Sequence, residues 1–333
     1  MIIMMDKQIF SLETLEKLGN YHRILMDELS KSINLAFTNK DIYEYINNYI
    51  NKNNLSKAFP IGISINQIIA HDSFHESNII NLKEGDFIKI DVGLIENGNI
   101  IDSARTFIYK SDTPQCIIDC VQIANSVEKF IETNINNNGK ISIQKISAMT
   151  NALICSKGYN ALDYLGGHII EYGKVHGKHL ILNKPLKLLP KEAEMFIDPF
   201  AEIGEEEMFA IEIYMGEKKS TGTMVKSLTI PTTHYQVCLE QLDKLNQFKL
   251  NQKEKETIKN ISSHTNNLVY EYHLHKNYDQ KIINKLIGIG LIIKHEPLEF
   301  ISNSKEIIKQ IQWEDCYLIR NKKLINLSKS ISN

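Results

Sequence analysis

The stretch IKIDVGLIENGNIIDSARTF, residues 88–107, limits the fold first, because its Asn97-Gly98 pair lies between two apolar, strand-like runs. Asn-Gly in that place is the strongest short signal for a β-hairpin with a two-residue loop. Such a loop pairs Gly93 with Asp102, and it puts Asp91 on the same face as Gly93 because strand side chains alternate. The two aspartates are then diagonal neighbours about 7–8 Å apart.

These two aspartates need a physical reason to stand together, since strands are depleted in Asp. Like charges on one face call for a cation, a shared proton or bulk water. A cation predicts further ligands downstream, and the sequence offers His168 after two glycines, Glu212 in FAIEIY and Glu314 in IQWEDCYLI. A solvated sheet face for the aspartates, and a strand edge facing water for either glutamate, remain the alternatives.

Composition restricts the class of protein. The chain has 333 residues, is 43% hydrophobic and carries a formal net charge of -2. Its bulk charge therefore gives no reason to expect binding to nucleic acid or to an anionic membrane. No segment approaches the roughly 20 apolar residues of a membrane span. The five cysteines are scattered and form no C-x-x-C pair, which favours a reduced, cytoplasmic protein.

Hydrophobic periodicity predicts the order of the elements. Helical spacing covers residues 11–55 with a second helix over 41–50, then residues 114–135 and 141–158. Strand-like alternation covers residues 86–109, 207–215 and the late segment IKQIQWEDCYLIRNKKLINL. Between the last two strands, residues 232–292 are charged and helical in pattern. This pattern predicts an inserted helical subdomain or a small separate domain.

Seven motifs together resemble one known family. They are FPIGISIN, IAH ending at His71, LKEGDFIKIDVG, NGNIIDSA, GGHIIEYGKVHGK, FAIE and QWE. In this order they resemble the methionine aminopeptidases of type 2, over about residues 10–330. The resemblance implies the pita-bread fold, an α+β architecture. The insert resembles the helical subdomain of type 2 enzymes, and the chain resembles their short archaeal form, without a long charged N-terminal extension.

The resemblance also implies a division of the chain. Residues 1–224 would form the first part of the pita-bread catalytic domain, and residues 225–296 the inserted helical subdomain. Residues 297–333 would supply the C-terminal strands that complete the metal site.

A dinuclear metal centre is the next implication of the resemblance. Its ligands would be Asp91, Asp102, His168, Glu212 and Glu314. Asp91 would bind one ion through both oxygens, Asp102 and Glu314 would bridge the two ions, and His168 and Glu212 would complete the other ion. Such ligands accept Co, Mn, Fe or Zn. A hydroxide between the ions would attack the peptide carbonyl, and Glu212 would move the proton.

Further residues are implied to contact the substrate. His71 resembles the histidine that fumagillin-type inhibitors alkylate in type 2 enzymes, and His176 resembles a second histidine near the substrate carbonyl. Phe59 and Val175 would line the methionine pocket, together with His295. The remaining histidines receive no role: His22, His75, His179, His234, His264, His273 and His275.

The function implied by the resemblance is hydrolytic removal of the initiator methionine from nascent proteins with a small second residue. The enzyme would be a monomeric cytoplasmic metalloprotease, with N-terminal peptides as substrates and the ribosome as a candidate place of action. Two alternatives stay open: a proline-specific aminopeptidase or dipeptidase of the same fold, and a non-catalytic pita-bread binding protein. Only about 85 residues precede the hairpin, which disfavours the first. The full set of ligands disfavours the second.

Several features depart from the family pattern, including the run EIYMGEKK that begins at Glu212, a longer segment between His176 and Glu212, and three single positions. Gly166 stands where type 2 enzymes usually have Asn, Asp72 where an aromatic residue is common, and Asp315 where His is usual. The departures remove no metal ligand. They change residues beside the ligands, which predicts an altered substrate preference or turnover rate.

Overall fold

The computed structural model describes residues 10–195 and 197–329. Seven α-helices lie within these ranges: α1 Leu12–Ser32, α2 Asn39–Lys52, α3 Gln115–Asn138, α4 Ile143–Ser156, α5 Leu239–Leu242, α6 Gln252–His264 and α7 Gln280–Gly288. Short 3-10 helices cover Ile33–Leu35, Leu186–Leu188, Lys191–Met195, Leu245–Gln247 and Tyr272–Asn277. No helix in the described ranges is long and apolar enough to cross a membrane.

Seventeen strands complete the described fold. They are β1 Ser56–Lys57, β2 Gly62–Ile65, β3 Ile68–Ala70, β4 Phe87–Glu96, β5 Asn99–Ile108, β6 Ile141–Ser142, β7 Gly166–Ile170, β8 Leu180–Leu182, β9 Glu202–Ile203, β10 Met208–Gly216, β11 Gly222–Lys226, β12 His234–Val237, β13 Tyr270–Glu271, β14 Ile292–His295, β15 Leu298–Ser302, β16 Gln310–Arg320 and β17 Lys323–Asn326.

Two sheets carry the predicted ligands. In one, β4 lies between β5 and the short strands β1 and β2. In the other, the strand order is β17-β16-β10-β7-β8. The predicted hairpin register is confirmed, since Gly93 lies opposite Asp102 and Glu96 opposite Asn99. Asn97 and Gly98 both have the positive φ angles that a tight hairpin turn of this kind requires.

Helices cover each sheet and bury its apolar residues. α1 and α2 pack with β4 and β5 in one hydrophobic cluster, and α3 and α4 pack with β10 and β16 in a second. α2 begins at a capping box, in which Thr38 and Asp41 exchange side-chain and backbone hydrogen bonds. α3 ends at Gly139, whose φ of 72° is the left-handed conformation that favours glycine at a helix end.

The insert differs from the predicted helical subdomain. It contains α5, α6 and α7, but it also contains a three-stranded sheet in the order β13-β12-β14. These elements enclose their own hydrophobic cluster, which includes Val237, Ile258, Ile283 and Ile292. The strands are two to four residues long and pair across distant parts of the chain. Local periodicity cannot detect such pairing. The segment boundaries at residues 224 and 296 stay a prediction.

Candidate metal centre

Five strands each bring one predicted ligand to the space between the sheets. The ligands are Asp91 on β4, Asp102 on β5, His168 on β7, Glu212 on β10 and Glu314 on β16. Glu212 and Glu314 are direct partners in the β10-β16 ladder. Glu212 is 8% exposed and Glu314 is 1% exposed. The alternative of a strand edge facing water is therefore wrong for both glutamates.

Hydrogen bonds between side chains and backbone hold the hairpin against β16. Ser103 Oγ donates to the carbonyl of Glu314 at 2.7 Å, and Thr106 Oγ1 donates to the carbonyl of Gln312 at 2.7 Å. Thr106 Oγ1 also accepts from the Gln312 amide at 2.9 Å. On the opposite face of β5, ligand atoms of Asp102 and Glu314 lie within 4.8 Å of each other.

The ligand atoms form two overlapping groups. Oxygen and nitrogen atoms of Asp102, His168 and Glu314 lie within 4.8 Å of one another, and so do oxygens of Asp91, Glu212 and Glu314. His168 Nε2 is 3.3 Å from Asp102 Oδ2 and 3.8 Å from Glu314 Oε1. Glu314 belongs to both groups, as a carboxylate that bridges two ions would.

Four of the five ligands are buried and Asp91 is half-buried, and two carboxylate oxygens of the cluster have no protein partner. Asp102 is 3% exposed and Glu314 is 1% exposed, so the alternative of a solvated sheet face is wrong. Asp91 Oδ1 and Asp102 Oδ1 are buried without a hydrogen-bond partner. Buried carboxylate oxygens are costly unless a cation or donor satisfies them. Hard, oxygen-rich donors of this type suit divalent metal ions, and the residues present therefore fit a metal centre.

Burial and the repulsion between neighbouring carboxylates shift the pKa values of the predicted ligands. Burial raises the pKa of Asp102 to about 7. Burial and then the Asp91 carboxylate raise the pKa of Glu212 well above its ordinary value, and burial and then Asp102 do the same for Glu314. Burial lowers the pKa of His168 to about 4, which leaves its imidazole neutral and able to ligate metal. A bound cation opposes the carboxylate shifts because it stabilises the ionised form.

Gln312 is a member of the site that the sequence analysis missed. Its side-chain amide donates to Asp91 Oδ2 at 3.0 Å and to Glu212 Oε1 at 2.7 Å. It lies on β16 two residues before Glu314, so both side chains point to one face. That spacing within QWE was the only sequence signal, and it does not distinguish a glutamine that orients ligands from one that packs.

The predicted substrate histidines lie beside the cluster. His176 is in edge contact with His168, with ring centroids 4.4 Å apart. His71 follows β3 with a φ of 62°, a conformation that is uncommon for a residue with a side chain and often marks a functional position. Burial, with nearby His295, lowers the pKa of His71 to about 4. The pKa of His176 is lowered by removal of its ring from water and by nearby His168, although the residue as a whole is exposed.

A cavity of about 200 Å³ adjoins the ligands and contains the predicted pocket residues. Phe59, Val175 and His295 all line it. The Phe59 ring lies over Gly93, where an added Cβ would be 2.2 Å from the ring. His234 received no role from the sequence, yet it lines this cavity with its ring centroid 6.2 Å from that of His71. Only the distant pairing of β12 with β14 brings it there.

Two of the three family departures have a local explanation. Gly166 has a φ of 152°, and an added Cβ would lie 2.4 Å from the carbonyl oxygen of Ile181 on β8. A side chain such as the usual Asn would therefore require β8 to move. Asp315 pairs with Arg105 at 2.5 Å, both side chains being buried. Arg105 also donates to the Glu314 carbonyl and stacks 4.1 Å from the Trp313 ring.

Asp72, the third departure, lies behind the cavity wall. It is 1% exposed, and its Oδ1 accepts from the Ser73 amide at 2.9 Å. Burial raises its pKa to about 7 despite the nearby Lys89 ammonium. Asp72 makes no contact with a predicted ligand in the described hydrogen bonds, and we find no structural reason for an acid at this position.

Comparison with known proteins gives a family and a fold. The sequence model of metallopeptidase family M24 matches residues 13–320. A methionine aminopeptidase of Thermococcus onnurineus (strain NA1) is 30% identical over 196 residues, which are 58% of this chain and 64% of that protein. The chain spans about three fifths of the length of the curated relatives it matches.

Solved structures agree over almost the whole chain. The methionine aminopeptidase of Thermotoga maritima superposes with a TM-score of 0.61 at 16% identity, covering 97% of this chain and 99% of that one. A thermophilic Arx1 superposes with a TM-score of 0.68 at 12% identity, covering 96% and 91%. At these identities the matches concern the fold alone. Together with the family match, they confirm the predicted α+β pita-bread fold.

Proposed function

The chain belongs to metallopeptidase family M24, and from that premise we propose that it is a methionine aminopeptidase of type 2. It would remove the initiator methionine from nascent proteins whose second residue is small. The observation that supports this most is the convergence of five acidic and imidazole side chains with unsatisfied carboxylate oxygens. The similarity to the Thermococcus onnurineus enzyme supports methionine as the residue removed.

The centre would hold two divalent ions of Co, Mn, Fe or Zn. Asp91 would hold one ion, His168 and Glu212 the other, and Asp102 and Glu314 would contact both. When bound, such ions supply a Lewis acid that polarises the scissile carbonyl and lowers the pKa of an attacking water. Gln312 would orient Asp91 and Glu212 through the two hydrogen bonds that its amide donates.

The protein groups would bind the peptide and move the proton. Gln312 occupies Glu212 Oε1, so Glu212 Oε2 would carry the proton to the leaving amine. His71 and His176 would act as neutral imidazoles, because partial removal from water and the neighbouring histidines lower both pKa values. They would donate N–H hydrogen bonds to the substrate carbonyl without adding charge. Phe59 and Val175 would enclose the methionine side chain.

The cellular setting belongs to the same proposal. Residues 225–296 would be the insert of a type 2 enzyme, and the cavity shared by both parts would select the N-terminus of a nascent chain in the cytoplasm. The protein would act as a monomer, because one chain supplies every predicted ligand. The ribosome is a candidate place of action.

Methionine release tests the proposal. The protein is stripped of metal, restored with Mn(II) or Co(II), and supplied with Met-Ala-Ser and with Met-Leu-Ser. We expect metal-dependent release from Met-Ala-Ser, little release from Met-Leu-Ser, and none by the variant Asp102→Asn/Glu314→Gln. Absence of release from wild-type protein that binds metal would contradict the proposal.

A further inference from the structure

A row of three side chains crosses the insert sheet, β13-β12-β14, and ends at a carboxylate that has no assigned role. His234 on β12 lies directly opposite Glu271 on β13 and directly opposite His295 on β14. Directly opposite residues of antiparallel strands point to the same face, so the three side chains share one face of this sheet. His234 and His295 line the cavity at the metal ligands, which directs this face toward the candidate active site.

Both carboxylate oxygens of Glu271 bind residues outside the insert. Lys57 Nζ, on β1, donates to Glu271 Oε1 at 2.6 Å, and Tyr43 Oη, on α2, donates to Oε2 at 2.9 Å. Burial and then Glu271 raise the pKa of Tyr43, so Tyr43 keeps the proton that it donates. The side chains of Lys57 and Glu271 are 26% and 18% exposed, and salt screens such a partly buried pair less than an exposed one. Glu271 therefore joins the insert sheet to two elements of the rest of the fold.

The place of the insert sheet determines what surrounds His71, the predicted substrate residue. The ring centroid of His71 is 6.2 Å from that of His234 and 5.8 Å from that of His295. His234 is 6% exposed. His71 lies outside the insert and the other two histidines lie within it, so the three rings form one wall only while the insert sheet stays in place.

We infer that Glu271 is a positioning residue, which holds the insert sheet against α2 and β1 and thereby keeps His234 and His295 in the wall of the active-site cavity. The part of the inference that concerns substrate rests on the proposed aminopeptidase function. In the described part of the chain, Glu271 does not itself line this cavity, so it acts through the two histidines. Loss of its carboxylate should displace the sheet and weaken substrate binding. The five predicted metal ligands lie outside the insert and should stay in place.

The test measures how readily solvent reaches His234. Diethyl pyrocarbonate acylates unprotonated histidine rings that solvent reaches, and mass spectrometry of the digested protein gives the rate at each histidine. The metal-loaded full chain is compared with Glu271→Gln, which keeps the size of the side chain and removes its charge. We expect the rate at His234 to rise about tenfold, because hydrogen bonds to a charged group contribute at least that factor to an opening equilibrium.

Two other buried histidines report unfolding in the same experiment. His22 is 0% exposed on α1, outside the insert, and His275 is 7% exposed within it. His275 packs on Tyr235 with ring centroids 4.4 Å apart, on the face opposite to His234, since neighbouring strand residues alternate. Burial lowers the pKa of all three histidines, so each ring is unprotonated at neutral pH. The rates at His22 and His275 should stay within about twofold of wild type, because a local opening leaves both buried.

Further variants identify the contact that is responsible. Lys57→Met should also raise the rate at His234, and combining it with Glu271→Gln should add little, because substitutions of contacting residues are not additive. Glu76→Gln is the matched control. Glu76 also joins the insert, through Lys276 at 2.8 Å, but these side chains are 59% and 54% exposed, and such exposed pairs contribute little. This variant should leave the rate at His234 unchanged.

Kinetics connect the position of the sheet to the substrate. For Met-Ala-Ser, Glu271→Gln should raise KM about fivefold and change kcat less than about twofold, because it displaces a binding wall and not the metal ligands. A selective rise at His234 with KM unchanged would overturn the role in substrate binding.

The outcomes separate the two proposals. An unchanged rate at His234 in Glu271→Gln, or an equal rise at His22 and His275, would overturn the positioning role. Methionine release by wild type together with an unchanged rate at His234 would leave the aminopeptidase function standing alone. A selective rise at His234 in a protein that releases no methionine as wild type would support the positioning of the sheet and contradict the catalytic function.

Discussion

At the scale of single residues, Gln312 orients two of the predicted metal ligands, because its side-chain amide donates hydrogen bonds to Asp91 and Glu212. Replacing it by Met keeps a side chain of similar length and removes both donated hydrogen bonds. Without them Asp91 and Glu212 lose their orientation, and we expect the affinity for Mn(II) to fall about 10- to 100-fold. Isothermal titration of the metal-free protein measures this affinity.

Gln310→Met is the matched control for that variant. Gln310 lies on the same strand and is also buried, but its side-chain amide donates to the carbonyl of Ile308 and not to a ligand. Its substitution should leave the metal affinity unchanged. Equal affinities of wild type and Gln312→Met would refute the orienting role.

Residues of the site differ in how far the sequence could identify them. Asp91 and Asp102 could be placed together because an Asn-Gly turn fixes the register of a hairpin, and two acids on one strand face need an explanation. His234 could not be identified, since it enters the cavity through the pairing of β12 with β14, which is a tertiary contact. The position of Gln312, two residues before Glu314, indicates only that both side chains point to the same face. It does not indicate an orienting role, because a buried glutamine has many ordinary roles.

At the scale of elements, the contact of β5 with β16 depends on a buried ion pair. Arg105 on β5 meets Asp315 on β16, and the side chains are 5% and 9% exposed. Asp315→Ala would leave the guanidinium buried without its partner. We expect a loss of about 3–5 kcal/mol in the free energy of unfolding, because an uncompensated buried charge is costly. Urea unfolding of the metal-free protein measures the change.

A double substitution distinguishes the cost of leaving one buried charge unpaired from the contribution of the ion pair itself. Arg105→Met/Asp315→Leu removes both charges and fills a similar volume, and such replacements are often neutral or stabilising. We expect its unfolding midpoint to lie closer to that of wild type than to that of Asp315→Ala. If Asp315→Ala itself unfolds like wild type, the ion pair does not hold the two strands together.

The length of a strand determines whether its sequence pattern can be recognised. The strands β4, β5, β10 and β16 are nine to eleven residues long, which is long enough for period-two alternation to be recognised. The insert strands β12, β13 and β14 have two to four residues and stand between helical segments. Their apolar residues fit a helical repeat equally well, and only pairing across the insert makes them strands.

At the scale of the whole molecule, metal binding should stabilise the fold in a pH-dependent way. Burial raises the pKa of Asp102 to about 7 in the metal-free protein. A raised carboxylate pKa contributes stability that is present at low pH and is lost as the pH rises through that value. The metal needs the same carboxylates ionised, so protons compete with it at pH 6 and hardly at pH 8.

The metal-dependent increase in Tm should therefore be larger at pH 8 than at pH 6. With free metal at a hundredfold excess over Kd, we expect an increase of roughly 4 °C at pH 8. Ionisable groups whose pKa is the same with and without metal do not contribute to the metal-dependent increase in Tm. The variant Asp102→Asn/Glu314→Gln should show no increase at either pH. Differential scanning fluorimetry would contradict this account if the increase were larger at pH 6.

The central claim is that the five ligands form one dinuclear centre, and anomalous diffraction from crystals grown with Mn(II) tests it most directly. We predict two anomalous peaks within the cluster, one contacted by His168 and Glu212 and the other by Asp91, with Asp102 and Glu314 touching both. Peaks only on the protein surface, or an empty cluster at saturating metal, would contradict the claim.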